Sequence, residues 1–407
     1  MSRAELVRMA KHMTACAEAD RVEQTPDVLR VPARNYIDED RARLEREKIF
    51  KRVPLMLAMS CELPKSGDYR ALEAAGVPVL IARGADGGVR AFVNSCAHRG
   101  AQIVTEASGN ARRFMCPYHA WTYDLEGKLA GVFQEKDFGS VERATHGLVR
   151  LPALERAGLI WVILDPKSQL SIEKFLCGYD ALLGHFGFES WYFHGRRSVK
   201  GPYWKIAYDG YLDFYHLPIL HRNTFGTEIG NRALYYAWGP HQRVLALERG
   251  VPTSVRGEGE PANAEASSRV SAPPEEWPLH TLLTGVWTIF PHVSIASFDA
   301  GGRGVMISQL FPGESPLESV TVQNYLMEKP PTDEQRAVAD KMFDLLGFVV
   351  REEDYATGLR QQHALQSGAR THVLFGRNEG GGQRFHGTTE RLLALNDAEL
   401  AHEFSGA

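Results

Sequence analysis

The sequence predicts an α+β chain of two domains, a small all-β domain and a larger one that mixes antiparallel strands with helices. Three observations carry this expectation. Between Val53 and about Asp165, short β-branched runs are separated by glycine-bearing turns. Beyond Pro166, aromatic-rich strands alternate with at least two helical stretches. The chain has 407 residues, enough for two or three domains at roughly 150 residues each. Composition agrees, because 44% hydrophobic and 24% charged residues are ordinary globular usage and exclude wholesale disorder.

The N-terminal segment places Leu6, Met9, Ala10, Met13 and Cys16 at helical spacing among mixed charges, and Leu44, Ile49 and Phe50 continue a charged helical pattern. Residues 1–50 are therefore assigned as a helical part of the larger domain. Residues 51–165 form the β domain, with hairpin turns expected at ADGG (85–88) and LEGK (125–128), where glycine supplies positive φ. Residues 166–407 form the larger domain. Strands are expected over Glu189–Lys205, Leu234–Leu247, Val286–Phe298, Val305–Phe311 and Val320–Met327, and helices over about Asp333–Leu346 and Glu352–Leu365. The polar stretch 251–278 reads as a long loop, and EGGGQ at 379–383 as a further turn.

Charge and hydropathy narrow the partners. Lys plus Arg total 46 against 50 Asp plus Glu, a net charge of −4, which points to neither nucleic acid nor an anionic membrane. No apolar run reaches the roughly 18 residues of a membrane span, and the N-terminus lacks the apolar core of a secretory signal. With only five cysteines, Cys16, Cys61, Cys96, Cys116 and Cys177, a cytoplasmic protein without disulfides is expected.

Four metal-ligating residues stand in two close pairs inside the β segment: Cys96-x-His98 and Cys116-x-x-His119, with seventeen residues between the pairs. A zinc finger usually pairs Cys with Cys and then His with His. Here each pair contributes one thiolate and one imidazole, which suits a two-iron cluster with Cys on one iron and His on the other. A closed Cys2His2 zinc is the rival reading. The stretch NSCAHRGAQ…FMCPYHAWTYDLEGKL resembles the Rieske domain of the ring-hydroxylating oxygenases. That resemblance implies a [2Fe-2S] cofactor held by Cys96, His98, Cys116 and His119. Trp121 and Tyr118 beside the second pair read as shielding and surface rather than chemistry.

A second constellation lies in WKIAYDGYLDFYHLPILHRNTFG, where Asp213, His216 and His221 follow a D-x-x-H-x-x-x-x-H spacing. Asp213 and His216 would share one face of a helix. His216 and His221, five apart, would lie about 140° apart on an unbroken one, and Pro218 between them is expected to distort it. Two imidazoles brought to one point, with a carboxylate, make the facial triad that holds non-haem Fe(II). Both halves of the chain are thus similar to the Rieske non-haem iron oxygenase α subunit, the terminal oxygenase. The resemblance implies a helix-grip-like catalytic domain in which His216 and His221 ligate the mononuclear iron. The family's third ligand is a carboxylate on a late helix. Asp354 in VVREEDYATG is the best match, with Glu352 and Glu353 beside it as rivals.

In the family, the acid three residues before the first histidine is not a ligand but a bridge toward a cluster-bound histidine of a neighbouring subunit. Asp213 occupies that position, which implies a head-to-tail ring closing as a homotrimer. Many relatives carry Glu-Asn where this chain has Asp209-Gly210, so the family's asparagine contact does not carry over. The resemblance further implies an NAD(P)H-dependent reductase, with or without a ferredoxin, as electron donor, because RGADGG and EGGG lack the setting of a dinucleotide site. Substrates would be O2 and a small organic, aromatic molecule, undergoing monohydroxylation, cis-dihydroxylation or O- or N-demethylation, with a β subunit as an optional partner. A Rieske electron carrier without catalysis is the competing class.

Overall fold

The computed structural model describes residues 2–226, 230–247, 272–315 and 317–405. The loop expected over 251–278 lies largely outside the described residues, which resume at Ala272. Two compact units emerge. One joins Met1–Ile49 to Leu176–Leu395, the other Phe50–Phe175 to Asn396–Ala407.

The second unit is built on short strands. A five-stranded antiparallel sheet contains Asp68–Ala74, Val77–Arg83, Val89–Val93, Ser108–Asn110 and Arg150–Leu151. A three-stranded sheet adds Leu55–Met59 and Leu159–Val162, buried at every position, beside Ala153–Arg156. A third, made of Phe114–Met115, Thr122–Tyr123 and Leu129–Gly131, carries the second ligand pair. Both expected hairpin turns are present, with Gly87 at φ +81 and Gly127 at φ +76. One boundary differs from expectation, because residues 396–405 pack with this unit. Lys174 Nζ donates to the Ser405 carbonyl (2.9 Å), Arg52 pairs with Asp397 (2.7 Å), and Phe404 sits edge-on to Phe175. The break before the larger unit falls at 175/176 rather than at 165/166.

The first unit is organised on a seven-stranded antiparallel sheet: β1 (Tyr192–Gly201), β2 (Ala233–Trp238), β3 (His241–Ala246), β4 (Val286–Ile289), β5 (Val293–Asp299), β6 (Arg303–Pro312) and β7 (Ser319–Met327), in spatial order β1-β7-β6-β5-β4-β3-β2. Two expected single strands are hairpins. Leu234–Leu247 turns at Gly239-Pro240, and Val286–Phe298 turns at Phe290–His292, where proline cannot donate to a ladder. Helix Ser2–Glu18 buries Leu6, Met9, Ala10, Met13 and Cys16, the stripe its sequence displays. Residues 39–45 form a helix whose Glu45 is fully enclosed. It accepts hydrogen bonds from Arg41 Nε (2.6 Å), Trp204 Nε1 (2.9 Å), Lys205 Nζ (2.6 Å) and the Tyr203 hydroxyl. Burial pulls Lys205 below its ordinary pKa despite the Glu45 charge. That buried node ties the N-terminal segment to the start of helix Trp204–Asp209, from which the His216 segment descends.

The glycines of EGGGQ form the first turn of helix Gly380–Ala394, not a loop. A Cβ on Gly381 would lie 2.3 Å from the Leu212 carbonyl, and one on Gly382 2.5 Å from the Phe375 ring. Glycine is required there for close packing, so its turn propensity misleads. The late helices also differ from expectation. Asp333–Phe348 continues through a π-helical stretch, Val349–Tyr355, into Ala356–Gln366 without a break. Cys61 and Cys177 are half-buried.

Candidate metal centres and the adjoining cavity

In the β-rich unit, Cys96 and Cys116 head two tight loops. The Gly100 N–H returns to the Cys96 carbonyl (2.8 Å) and the Ala120 N–H to the Cys116 carbonyl (3.0 Å). Gly100 and Ala120 both take positive φ, +76 and +57, to close these turns. Both thiols are buried within the hydrophobic core of this unit. The two imidazoles meet, with His98 and His119 ring centroids 4.7 Å apart, and Trp121 stacks on His98 at 5.0 Å. Tyr118 is exposed, although its ring lies against His119. Tyr123 accepts from the Ala97 N–H (3.0 Å) and its hydroxyl lies 3.2 Å from Cys96 Sγ. Burial, and then the Cys96 hydrogen bond, raise its pKa, so it stays a donor toward the sulfur.

His119 Nδ1 is buried with no hydrogen-bond partner. An orphaned ring nitrogen beside two buried thiols is what a metal cluster would satisfy. Among the described residues, these four donors do not converge within 4.8 Å as a one-ion group does. A tetrahedral zinc with bonds of about 2.0–2.3 Å requires such convergence, whereas a two-iron cluster takes its thiolates on one iron and its imidazoles on the other.

In the larger unit one group does converge. His216, His221 and Asp354 offer donor atoms that all lie within 4.8 Å of one another. The local chain explains how. Helix Trp204–Asp209 ends at Gly210, the chain turns, and a four-residue helix Leu217–Leu220 begins with Pro218 in its first turn, where proline costs nothing. The helix is broken as the spacing requires, but the break lies before His216, after Asp209, rather than at Pro218. The two histidines flank this short helix instead of riding a long one. Asp213 likewise shares no helix face with His216. Its Oδ1 accepts from both the backbone N–H (3.2 Å) and the ring Nδ1 (3.0 Å) of His216.

The three acids of VVREEDY separate cleanly. Buried Val349, Val350 and Tyr355 pin the π-helical stretch, with the Tyr355 hydroxyl bonded to Thr321 on β7. Asp354 Oδ1 then lies 3.1 Å from His221 Nε2 and 3.9 Å from His216 Nε2. Glu353 takes the outer side of His221, accepting from Nδ1 (2.6 Å) and from Thr224 Oγ1 (2.6 Å). Glu352 is exposed and pairs with Arg351. A carboxylate only accepts, so Asp213 and Glu353 each take the Nδ1 proton of a histidine, which leaves each Nε2 lone pair available to a cation shared with Asp354. Three acceptors facing one point fit a cation. Burial lowers the His221 pKa, but the hydrogen bonds and charges of Asp354 and Glu353 outweigh it and leave it raised.

Further carboxylates stand behind His216. Asp209 accepts from the Tyr36 hydroxyl (2.8 Å) and lies 2.9 Å from His386 Nε2. Glu379 has a raised pKa, from burial first and then from Asp213 and Asp209. Above the triad opens a cavity of about 170 Å³. Phe214, Phe225 and Phe298 line it. Trp287 does not, since it is fully buried against Tyr179 and Phe186. Gly210 also lines the cavity, and a Cβ there would meet nothing closer than the Ala207 carbonyl at 3.9 Å.

Residues 188–395 match the family of ring hydroxylating alpha subunits (catalytic domain), and residues 53–142 match the Rieske [2Fe-2S] domain. The chain belongs to the Rieske non-haem iron oxygenase α-subunit family. A Rieske domain implies a [2Fe-2S] cluster, and the catalytic domain of this oxygenase family binds a mononuclear iron. The chain is 30% identical over 202 residues to the glycine betaine monooxygenase oxygenase subunit of Chromohalobacter salexigens, a match covering 49% of this chain and 45% of that protein. It thus spans about half the length of that relative. To the terminal oxygenase component subunit alpha 2 of terephthalate 1,2-dioxygenase from a Comamonas species, it is 28% identical over 361 residues, covering 82% and 85% of the two chains. Its fold is similar to a quaternary ammonium Rieske monooxygenase solved with an inhibitor, with TM-score 0.73, 21% identity, and 90% and 96% coverage.

Sequence reasoning missed Glu353 as the partner of His221, Asp209 as the partner of Tyr36 and His386, and the polar wall of the cavity. Only the acid run 352–354 carried a signal for the first. No helix in the described residues is long and apolar enough to cross a membrane.

Proposed function

We propose that this chain is a terminal oxygenase component, which receives electrons from a separate reductase or ferredoxin and hydroxylates a small organic substrate in the cavity over His216, His221 and Asp354. The observation that carries the proposal is the meeting of two imidazole Nε2 atoms and one Asp354 oxygen at the wall of an apolar cavity. Iron held there, fed by a Rieske cluster on Cys96, His98, Cys116 and His119, supplies the one-electron and dioxygen chemistry.

The chain's own residues do the rest. Asp213 and Glu353 hold the outer protons of His216 and His221, fixing both tautomers and both ring orientations. Phe214, Leu217 and Phe298 exclude water from the reacting end of the cavity. Asp213 is also positioned to be the link through which a neighbouring subunit's cluster histidine reaches His216, which makes a homotrimer the working assembly. Monohydroxylation, including demethylation, and cis-dihydroxylation use the same site. The relatives support the first with monooxygenases and the second with a dioxygenase.

The test is anaerobic purification followed by metal analysis, visible spectroscopy and product analysis with labelled dioxygen and a competent reductase. About three irons per chain, Rieske-type absorption and labelled oxygen in the product are expected. One zinc per chain and no colour refutes the reading. A coloured protein that incorporates no oxygen into any substrate of an aromatic, methoxylated and N-methyl panel reduces it to an electron carrier.

A further inference from the structure

The cavity has two chemically distinct walls. One is apolar, formed by Phe214, Leu217, Phe225 and the late-helix residues Leu346, Val349 and Val350. The other is the sheet, where Ser294 on β5, Ser308 on β6 and Gln323 on β7 stand directly opposite one another in register. Side chains that alternate along a strand share a face at every second position, so this cross-strand row is one polar stripe in the wall. All three residues are nearly fully buried, at 1–2% exposure.

Within this row, Gln323 carries an unpaired group: its Oε1 is buried and has no hydrogen-bond partner, and the residue is part of the cavity wall, as is Tyr211, whose hydroxyl is likewise unpartnered. Asn324, next to Gln323 on the opposite face of the same strand, is satisfied. Its amide donates to Gln309 Oε1 (3.0 Å) and the Ile307 carbonyl (3.0 Å), and its Oδ1 accepts from Arg196 Nε (2.6 Å). Leaving a buried amide oxygen unpaired is costly, so an unpaired carboxamide in the cavity wall is the place where a donor brought in by a substrate is satisfied. Among the described lining residues the charged groups are Asp213 and Asp354, and both face the histidines. No described cation is present to neutralise an anionic substrate, and a quaternary ammonium, although aromatic faces such as those of Phe214, Phe225 and Phe298 attract it, has no N–H to give the Gln323 carboxamide.

We infer that Gln323 anchors the substrate, and that the substrate is a neutral molecule with an apolar body about the size of one aromatic ring and one hydrogen-bonding group carrying an N–H or O–H. A cavity of about 170 Å³ suits that size, since one of roughly 150 Å³ accepts benzene. The inference rests on the oxygenase reading above, and it separates this chain from relatives whose names state a permanently charged substrate such as glycine betaine.

The test measures binding, not turnover, by equilibrium dialysis of the iron-loaded protein against four probes: benzamide, toluene, benzoate and glycine betaine. Benzamide is expected to bind tightest. Gln323→Leu is expected to weaken benzamide roughly tenfold or more while leaving toluene unchanged or tighter. Gln323→Met, which keeps the unbranched stem, should behave alike, and the comparison of probes on the unmodified protein needs no variant to fold. Benzoate or betaine binding tighter than benzamide, no probe binding at all, or benzamide binding unaffected by either variant overturns the inference. Oxygen incorporation is scored separately. Gln323-dependent benzamide binding without it would sink the oxygenase reading and leave the anchor standing, and incorporation with Gln323-independent binding would do the reverse.

Discussion

The assignment of the three consecutive acids is open to a sharp test at Glu353. Its two oxygens each accept one hydrogen bond of 2.6 Å, from His221 Nδ1 and from Thr224 Oγ1. Its side chain is 15% exposed and that of His221 only 3%, so the pair is poorly screened by water. Partners of this kind typically govern metal affinity by about 10–100-fold. Glu353→Gln keeps an oxygen for His221 Nδ1 but removes the charge, so the lower end is expected, about tenfold or ~1.4 kcal/mol. Glu353→Ala also frees the ring to rotate, and its loss should approach 100-fold, about 2.7 kcal/mol. Glu352→Gln, at an exposed acid paired with Arg351, should change nothing. The assay is a competition between the protein and a chelator for Fe(II), with Co(II) as an air-stable stand-in, read as an apparent Kd. Equal losses for Glu352→Gln and Glu353→Gln, or parental affinity in Glu353→Ala, would refute the assignment of Glu353 as the group that orients His221.

Three further outcomes are expected. Asp213→Asn keeps an acceptor for the His216 N–H yet loses the charge, so turnover with a reductase should fall by about 10–100-fold while iron content stays near that of the parent; iron lost in proportion to activity would show that Asp213 serves only to hold His216 for the metal and would refute its role as an electron link between subunits. Glu45→Ala leaves the fully buried Lys205 without its counter-charge, and the unit should lose about 3–5 kcal/mol, seen as a large drop in the thermal midpoint; a shift within error would show that Arg41, Tyr203 and Trp204 do not depend on that carboxylate. Glu155 titrates below its ordinary value of 4.5: burial pushes it up, but the paired hydrogen bonds from Arg83 (2.5 and 2.8 Å) outweigh that effect. A lowered carboxyl pKa contributes stability above about pH 4.5 that disappears as pH falls through the folded value. The stability gap between parent and Glu155→Gln should therefore be constant near neutrality and close in acid, and a gap that widens in acid would reverse the sign.

Much of the site is legible from residue type and spacing alone. The pairs Cys96/His98 and Cys116/His119 are close enough that loop geometry leaves them few places to point, and their donor chemistry is intrinsic to the side chains. The amphipathic stripe of helix Ser2–Glu18 is legible for the same reason, since helical periodicity is a local property. Where local signals failed, long-range packing had overridden them. The glycines at 380–382 serve the approach of Leu212 and Phe375, more than 160 and at least 5 residues away respectively, so their turn chemistry is never used. Pro218 begins a new short helix because the preceding one had already ended at Asp209, and nothing in the spacing of His216 and His221 announces that end.

The sequence by itself determined the family and the candidate donors for each metal, because thiolate, imidazole and carboxylate chemistry travels with the residue. The tertiary structure decided which acid among 352–354 meets the histidines, because one residue's rotation within a π-helical stretch sends neighbouring carboxylates to the inner Nε2 atoms of His216 and His221, to the outer face of His221 and to solvent. It likewise decided what the cavity asks of a substrate. Ser294, Ser308 and Gln323 come from three separate strands, and only the register of the sheet sets them side by side in the cavity wall, with the Gln323 Oε1 left unpaired.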